Sequence, residues 1–225
     1  MKVNKVWCFF EQSGTFRDRF LELGIPSIDC DIQNEYGKTD IQIDLFNEID
    51  NAYNGEESLF DDISCDDLVM AFFPCIRFTQ QSELLFNQVA KQYCYKSDYD
   101  KITSAMQLER ERYDFFTIFC KMVQVCILRN IRLVIENPYS NYHYLVRYFP
   151  IKSKVIDFDR RTRGDYFKKP TQYWFINCEP SYNYDSLFRV QNIHAVSKKV
   201  SSCCTRVRSE ISSEYAHQFI QEFIL

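Results

Sequence analysis

The sequence predicts an α/β fold, a mostly parallel sheet with helices on both faces. The first observation is a pair of short apolar runs that end abruptly in polar, chemically capable residues: Asp67-Leu-Val-Met-Ala-Phe-Phe-Pro-Cys75 and Leu133-Val-Ile-Glu-Asn-Pro138. Buried parallel strands read this way where they deliver side chains to the carboxyl edge of a sheet. The second is the alternation of strand-like and helix-like segments along the chain. The third is compositional: only five glycines and six prolines occur in 225 residues, which argues against a succession of short β-turns.

Each element follows from local pattern. Residues 3–10 form a β-prone run that residues 11–15 break. A helical pattern then puts Phe16, Phe20 and Leu23 on one face, with Gly24 at the stop and Pro26 just beyond. A helix N-terminus over a sheet edge leaves backbone N–H groups for a ligand. Residues 27–32 read as the second strand, ending in Asp29 and Asp31, where an acid is placed to accept from ribose hydroxyls. A brief alternating stretch at 40–44 precedes a short helix at 45–53, and the strand ending at Cys75 follows. Residues 79–112 are polar and mixed, and read equally as a substrate-covering lid or as a surface helix pair. The helix at 109–129 carries Phe115, Phe116, Phe119, Met122, Val123 and Cys126 at helical spacing, and leads into the strand ending at Glu136. Residues 155–161 and 171–176 are two further strands, antiparallel around the basic turn 164–169. The amphipathic stretch 214–225 closes a single domain spanning 1–225.

The formal net charge of −4 gives no global nucleic-acid signature, although basic residues cluster at 159–169 and 198–208. The ten cysteines are scattered, several inside apolar runs, and no leader or membrane-length apolar run is visible. They read as reduced core thiols of a cytoplasmic protein. Cys178, His194, Cys203 and Cys204 match no standard zinc spacing, so no metal is expected.

Six segments, in order, resemble the DNA cytosine-5 methyltransferase family. Phe10-Glu-Gln-Ser-Gly-Thr-Phe-Arg17 resembles its Phe-x-Gly-x-Gly-Gly-Phe-Arg cofactor turn, and Asp29-Cys-Asp31 its acidic ribose-binding strand end. Asp44-Leu45 resembles the adenine-contacting pair, residues 67–75 the apolar strand ending in Pro-Cys, residues 133–137 the strand ending in Glu-Asn, and Arg161-Thr-Arg163 the Arg-x-Arg. The similarity covers roughly residues 6–165. It implies a Rossmann-like, S-adenosylmethionine-dependent methyltransferase fold with an antiparallel element near the C-terminus. It implies cofactor contacts from Phe10, Gln12, Gly14, Thr15, Phe16, Asp29, Asp44, Leu45 and Phe73. It departs at Gln12, where the family has glycine, at Ile76-Arg77-Phe78 after the Pro-Cys, and at Pro138. Only about 60 residues follow Arg163, so a full target-recognition domain does not fit, and 163–208 is its reduced counterpart.

The implied chemistry needs these residue types. A Cys75 thiolate adding to carbon 6 of cytosine breaks the ring's aromaticity and makes carbon 5 enamine-like, ready to accept the methyl group. Glu136 stabilises the charge that develops at the ring nitrogen, and Arg161 and Arg163 hold the base carbonyl. The target base has to leave a duplex, or belong to a single strand, to be reached. The partners expected are DNA and, for sequence choice, a separate specificity partner; no membrane is expected. The compact form suits a phage or mobile-element protein. Two other readings stay open. One is a catalytically silent homologue that binds nucleic acid or a protein partner as a decoy. The other is thiolate-dependent modification of a pyrimidine nucleotide or RNA.

Overall fold

The computed structural model describes residues 2–183 and 210–225. Seven strands form one sheet in the order β3-β2-β1-β4-β5-β7-β6. They are β1 (Val6–Phe9), β2 (Ser27–Asp31), β3 (Ile41–Gln42), β4 (Leu68–Ala71), β5 (Arg132–Pro138), β6 (Val155–Asp157) and β7 (Thr171–Ile176). β7 runs antiparallel to both neighbours, and the other strands are parallel to one another. The expected antiparallel pair around the basic turn is therefore present. β7 lies between β5 and β6 and is buried along its whole length.

β1 is central, and its four residues are buried on both faces. Trp7 and Phe9 join one hydrophobic cluster, Val6 and Cys8 the other. This is the period-2 alternation of a strand covered on both sides. On the first face lie α2 (Leu45–Asn54) and α4 (Asp98–Leu128), which brings Phe119, Met122, Val123 and Cys126 onto the sheet. On the second face lie α1 (Thr15–Glu22) and α6 (Ser213–Phe219), whose last turns widen into a π-helix over Ile220–Ile224.

Local chemistry sets the helix ends. Asp44 caps α2, accepting from the Phe46 and Asn47 N–H groups, and Gly55 closes it in the left-handed region. Ser97 caps α4. That helix starts eleven residues before the expected position, because 98–108 is helical without a continuous apolar stripe facing the core. Within 79–112, α3 (Gln80–Phe86) packs beside the start of α4, and Arg112 ties the pair by bonding Glu83 on one and Glu109 on the other. A short α5 (Tyr144–Tyr148) follows β5. No helix among the described residues is long and apolar enough to cross a membrane.

Candidate active site

Strand order changes direction at β1, whose neighbours β2 and β4 are reached by chain leaving to opposite sides. Open α/β sheets bind ligands outside the carboxyl ends of the strands at such a switch point. The sequence-expected residues gather along this edge in two groups.

The first group follows β4 and β5. Their register pairs Ala71 with Ile135, so Glu136 stands one residue past the last pair and Cys75 comes off the adjacent strand end. Four contacts hold the loop around Cys75. Buried Asn137 donates its Nδ2–H to the Phe73 carbonyl at 2.7 Å, and the Cys75 carbonyl accepts from Phe78 N–H. The Ile76 carbonyl accepts from the Ser82 hydroxyl, and Arg77 forms an ion pair with Glu111 of α4. The thiol of Cys75 is half-buried. By strand alternation Glu136 points to the α6 face, directly across from Tyr173.

Arg160 is wholly buried there, in the one-turn helix Arg160–Arg163 that follows β6. Its Nη1 lies 3.8 Å from Glu136 Oε1, and its Nη2 lies 2.5 Å from Asp165 Oδ2. Its guanidinium also covers the Tyr215 ring at 4.4 Å. The Glu136 contact is an ion pair without an aligned hydrogen bond, so Glu136 Oε1 is buried with no hydrogen-bond partner. Lys169 completes the group. Burial lowers the pKa of its ammonium, while the neighbouring Glu136 carboxyl and Cys75 thiol pull it back up and Arg160 pushes it down. One cation thus senses both the candidate nucleophile and the candidate carboxyl.

Neither arginine of the Arg-x-Arg stands by Glu136. Arg161 is exposed and paired with Asp159 at 2.6 Å. Arg163 is held by Glu222 and Asp157, where it fastens the C-terminal helix to β6. The guanidinium beside Glu136 belongs to Arg160, which the sequence reading passed over. Asp165 then links Arg160 to α6 by accepting from Ser212 N–H, and the Ser212 hydroxyl donates to the Gly164 carbonyl. Gly164 is left-handed at φ 88°, and a Cβ there would collide with Glu214.

The second group lies at the ends of β1 and β2. Glu11 occupies the start of α1: its carboxylate accepts from Phe16 N–H at 2.5 Å and from Arg17 N–H at 3.3 Å. Gly14 N–H donates to Asp29, and Thr15 N–H to the Ser13 hydroxyl. The backbone N–H groups expected to await a ligand are therefore satisfied within the chain. Phe16 and Leu45 are buried core residues, and Asp44 is engaged as the α2 cap. Phe73 is buried, with Phe10 edge-on at 5.4 Å and Phe46 stacked at 5.8 Å, while Phe10 itself is half-buried.

Gln12 has φ 40° and Phe10 φ 62°, both in the left-handed region. The Gln12 position thus keeps the backbone shape that favours glycine, and its side chain bonds Gln33 at 2.8 Å across the cleft. Replacing Gln12 by glycine relieves roughly 1–2 kcal/mol of strain. It also loses two exposed hydrogen bonds, to Gln33 and from Glu35 N–H, and adds about 0.5–1 kcal/mol of unfolded-state entropy. Gln12→Gly is therefore expected to leave stability within about 1 kcal/mol of the parent by urea unfolding. Its effect is on access: a nucleoside-bearing ligand is expected to bind roughly tenfold more tightly by calorimetry, at about 1.4 kcal/mol per decade.

The carboxyls below this bridge are perturbed upwards. Burial raises Glu11 to about 7, against the opposing N–H bonds from Phe16 and Arg17. Burial, then the Glu11 and Asp31 charges, raises Asp29 to about 8. Asp29 Oδ1 is buried without a partner. Both folded values exceed the unfolded ones near 4, so the folded chain holds more protons at intermediate pH. The stabilisation is complete below about pH 4 and is lost as pH rises through 7 to 8. Stability is expected to fall by on the order of 3 kcal/mol between pH 5 and pH 8.5, and Asp29→Asn to flatten that slope. Urea unfolding across this pH range measures both.

Among the described residues, no three histidine, cysteine, aspartate or glutamate side chains cluster as metal ligands. Cys178 is described, but His194, Cys203 and Cys204, like the basic stretch 189–208, lie outside the described residues. No protein-family profile matches the chain, and no curated protein matches it.

Proposed function

We propose that this protein transfers a methyl group from S-adenosylmethionine to carbon 5 of cytosine in DNA through a Cys75 adduct. One observation carries the reading. A half-buried thiol and a buried carboxyl with an oxygen lacking a hydrogen bond follow from adjacent strands; Arg160 stands against the carboxyl, and Lys169 interacts with both groups. The strand order, with one antiparallel strand set between β5 and β6, fits the methyltransferase fold that the sequence resembles.

The residues at β1 and β2 fit the cofactor in charge. S-adenosylmethionine carries a sulfonium and an ammonium, and its binding would draw the carboxyls of Glu11 and Asp29, held protonated by burial in the free chain, back to their ionised form. The unpartnered Asp29 Oδ1 is an acceptor for a ribose hydroxyl once the Gln12–Gln33 bridge opens. When bound, the cofactor supplies an electrophilic methyl group.

In the reaction, the Cys75 thiolate adds to carbon 6, and the displaced electron pair passes toward ring nitrogen 3. A proton delivered to that nitrogen through Glu136 would neutralise the charge, and Glu136 Oε1 meets Arg160 at 3.8 Å without a hydrogen bond that would compete for it. Arg160 holds the carboxyl in place from behind, and Lys169 compensates the thiolate charge. Once carbon 5 is methylated, its proton would pass to solvent water and the nitrogen's proton back to Glu136, as the thiolate leaves and the ring regains aromaticity.

The filled α1 N-terminus and the Gln12 bridge favour a second reading, a silent homologue that no longer admits the cofactor. Calorimetry with S-adenosylmethionine, followed by labelled methyl transfer to cytosine-containing DNA, separates the two. Micromolar binding and labelled DNA support the enzyme. An absence of binding at millimolar cofactor overturns it in favour of the silent reading.

A further inference from the structure

Beside the candidate thiol and carboxyl, the same carboxyl edge carries an aromatic corner that the proposed chemistry does not use. Phe158 follows β6 and is 63% exposed, although it is a large apolar ring. Tyr139 follows β5 and meets it edge-to-face at 5.6 Å, with its hydroxyl donating to Asn141 at 3.0 Å. Tyr142, in the same loop, is 61% exposed. Tyr139 N–H also donates to the Pro170 carbonyl at 2.8 Å. That bond fixes the corner beside Lys169, and so beside Cys75 and Glu136.

The charge around the corner is lopsided. Its carboxylates are each answered by an arginine: Asp157 by Arg163, Asp159 by Arg161 and Asp165 by Arg160. Lys168 is exposed and close enough to lower the Asp159 carboxyl, but among the described residues it forms no ion pair. Lys169 likewise forms none. Lys169 is engaged by Glu136 and Cys75, so Lys168 is the exposed cation of this corner.

Flat apolar faces with an exposed cation nearby match an unpaired polynucleotide. Its bases stack on aromatic rings, and its phosphates take the cation. A paired duplex hides those base faces in its own stack. We infer that the Tyr139–Phe158 corner and Lys168 bind the unpaired strand next to the target cytosine, making single-stranded DNA the preferred substrate. This rests on the proposed reaction for the cytosine and the DNA, and on the corner's own geometry for the unpaired strand.

The test is fluorescence anisotropy of the intact protein with a labelled cytosine-containing 12-mer as single-stranded DNA, duplex DNA and RNA, over a range of salt. Single-stranded DNA is expected to bind at least tenfold more tightly than either alternative. Phe158→Ala is expected to weaken it by roughly tenfold, with no change in unfolding temperature because the ring is exposed. Lys168→Ala is expected to shallow the salt dependence by about 0.7 in slope. Duplex or RNA binding equal to single-stranded DNA, or an indifferent Phe158→Ala, overturns the inference. Cofactor calorimetry is read separately. Strand binding that depends on Phe158 without cofactor binding would remove the methyltransferase reading and leave the corner standing. Cofactor binding with an indifferent Phe158→Ala would do the reverse.

Discussion

Cys75→Ser is expected to abolish methyl transfer, with a loss of at least about 10³-fold, while S-adenosylmethionine affinity and unfolding temperature stay at parent values. The argument is chemical and local. A serine hydroxyl is almost fully protonated at neutral pH, so it has little anion to add to carbon 6, whereas a thiol beside a cation ionises readily. The loop that carries residue 75 is held by its backbone carbonyls, by Asn137 and by the Arg77–Glu111 pair, none of which involves the thiol. The residues proposed to hold the cofactor lie across the switch point at β1 and β2. Labelled transfer assays and differential scanning calorimetry on the same preparations measure the two halves. Loss of activity together with loss of folding would instead make Cys75 a packing residue. Activity within a few fold of the parent would remove the adduct altogether.

Arg160→Leu is expected to destabilise the protein by about 3–5 kcal/mol. The side chain is wholly buried, and its removal strands Asp165 and Glu136 as buried carboxylates without a cation. It also strips the cover from Tyr215, whose hydroxyl meets that of Tyr173 at 2.8 Å in the same enclosure. A second change, Asp165→Asn, removes the closer of the two stranded charges and is expected to recover a substantial part of the loss. The double-mutant cycle in urea unfolding isolates that coupling. Additive effects would mean that Arg160 stabilises by packing rather than by charge. Arg161→Leu is the internal contrast: it breaks only an exposed pair with Asp159 and is expected to cost under about 1 kcal/mol.

The sheet was legible because buried parallel strands are apolar until they reach the edge, although β4 itself stops at Ala71, short of Cys75, and β5 runs past Glu136 to Pro138. The antiparallel β7 was legible from a basic turn between two β-prone runs. The start of α4 was not, because Tyr99, Ile102 and Met106 are exposed and residues 98–108 lack the inward stripe that marks a helix. Within the site, order along the chain carried less than direction in space. Arg160, Arg161 and Arg163 share one helical turn, yet one faces Glu136, one solvent and one Glu222. A linear motif cannot distinguish these directions. Glu11 was hidden for a related reason. Its capping of Phe16 and Arg17 depends on the left-handed turns at Phe10 and Gln12, which nothing in those residue types foretells.

The link from Glu136 through Arg160 and Asp165 to Ser212 makes this carboxyl edge of the sheet a long-range assembly. It joins the middle of the chain to a helix some 75 residues later, and Arg163 repeats the stitch to Glu222. During synthesis, the β1 and β2 end of the sheet is made long before the segment that closes the other end has left the ribosome. The carboxyl beside the thiol therefore acquires its supporting cation network only when α6 docks. A nascent chain that has not yet made α6 lacks the Ser212 contact that braces Asp165 and, through it, Arg160.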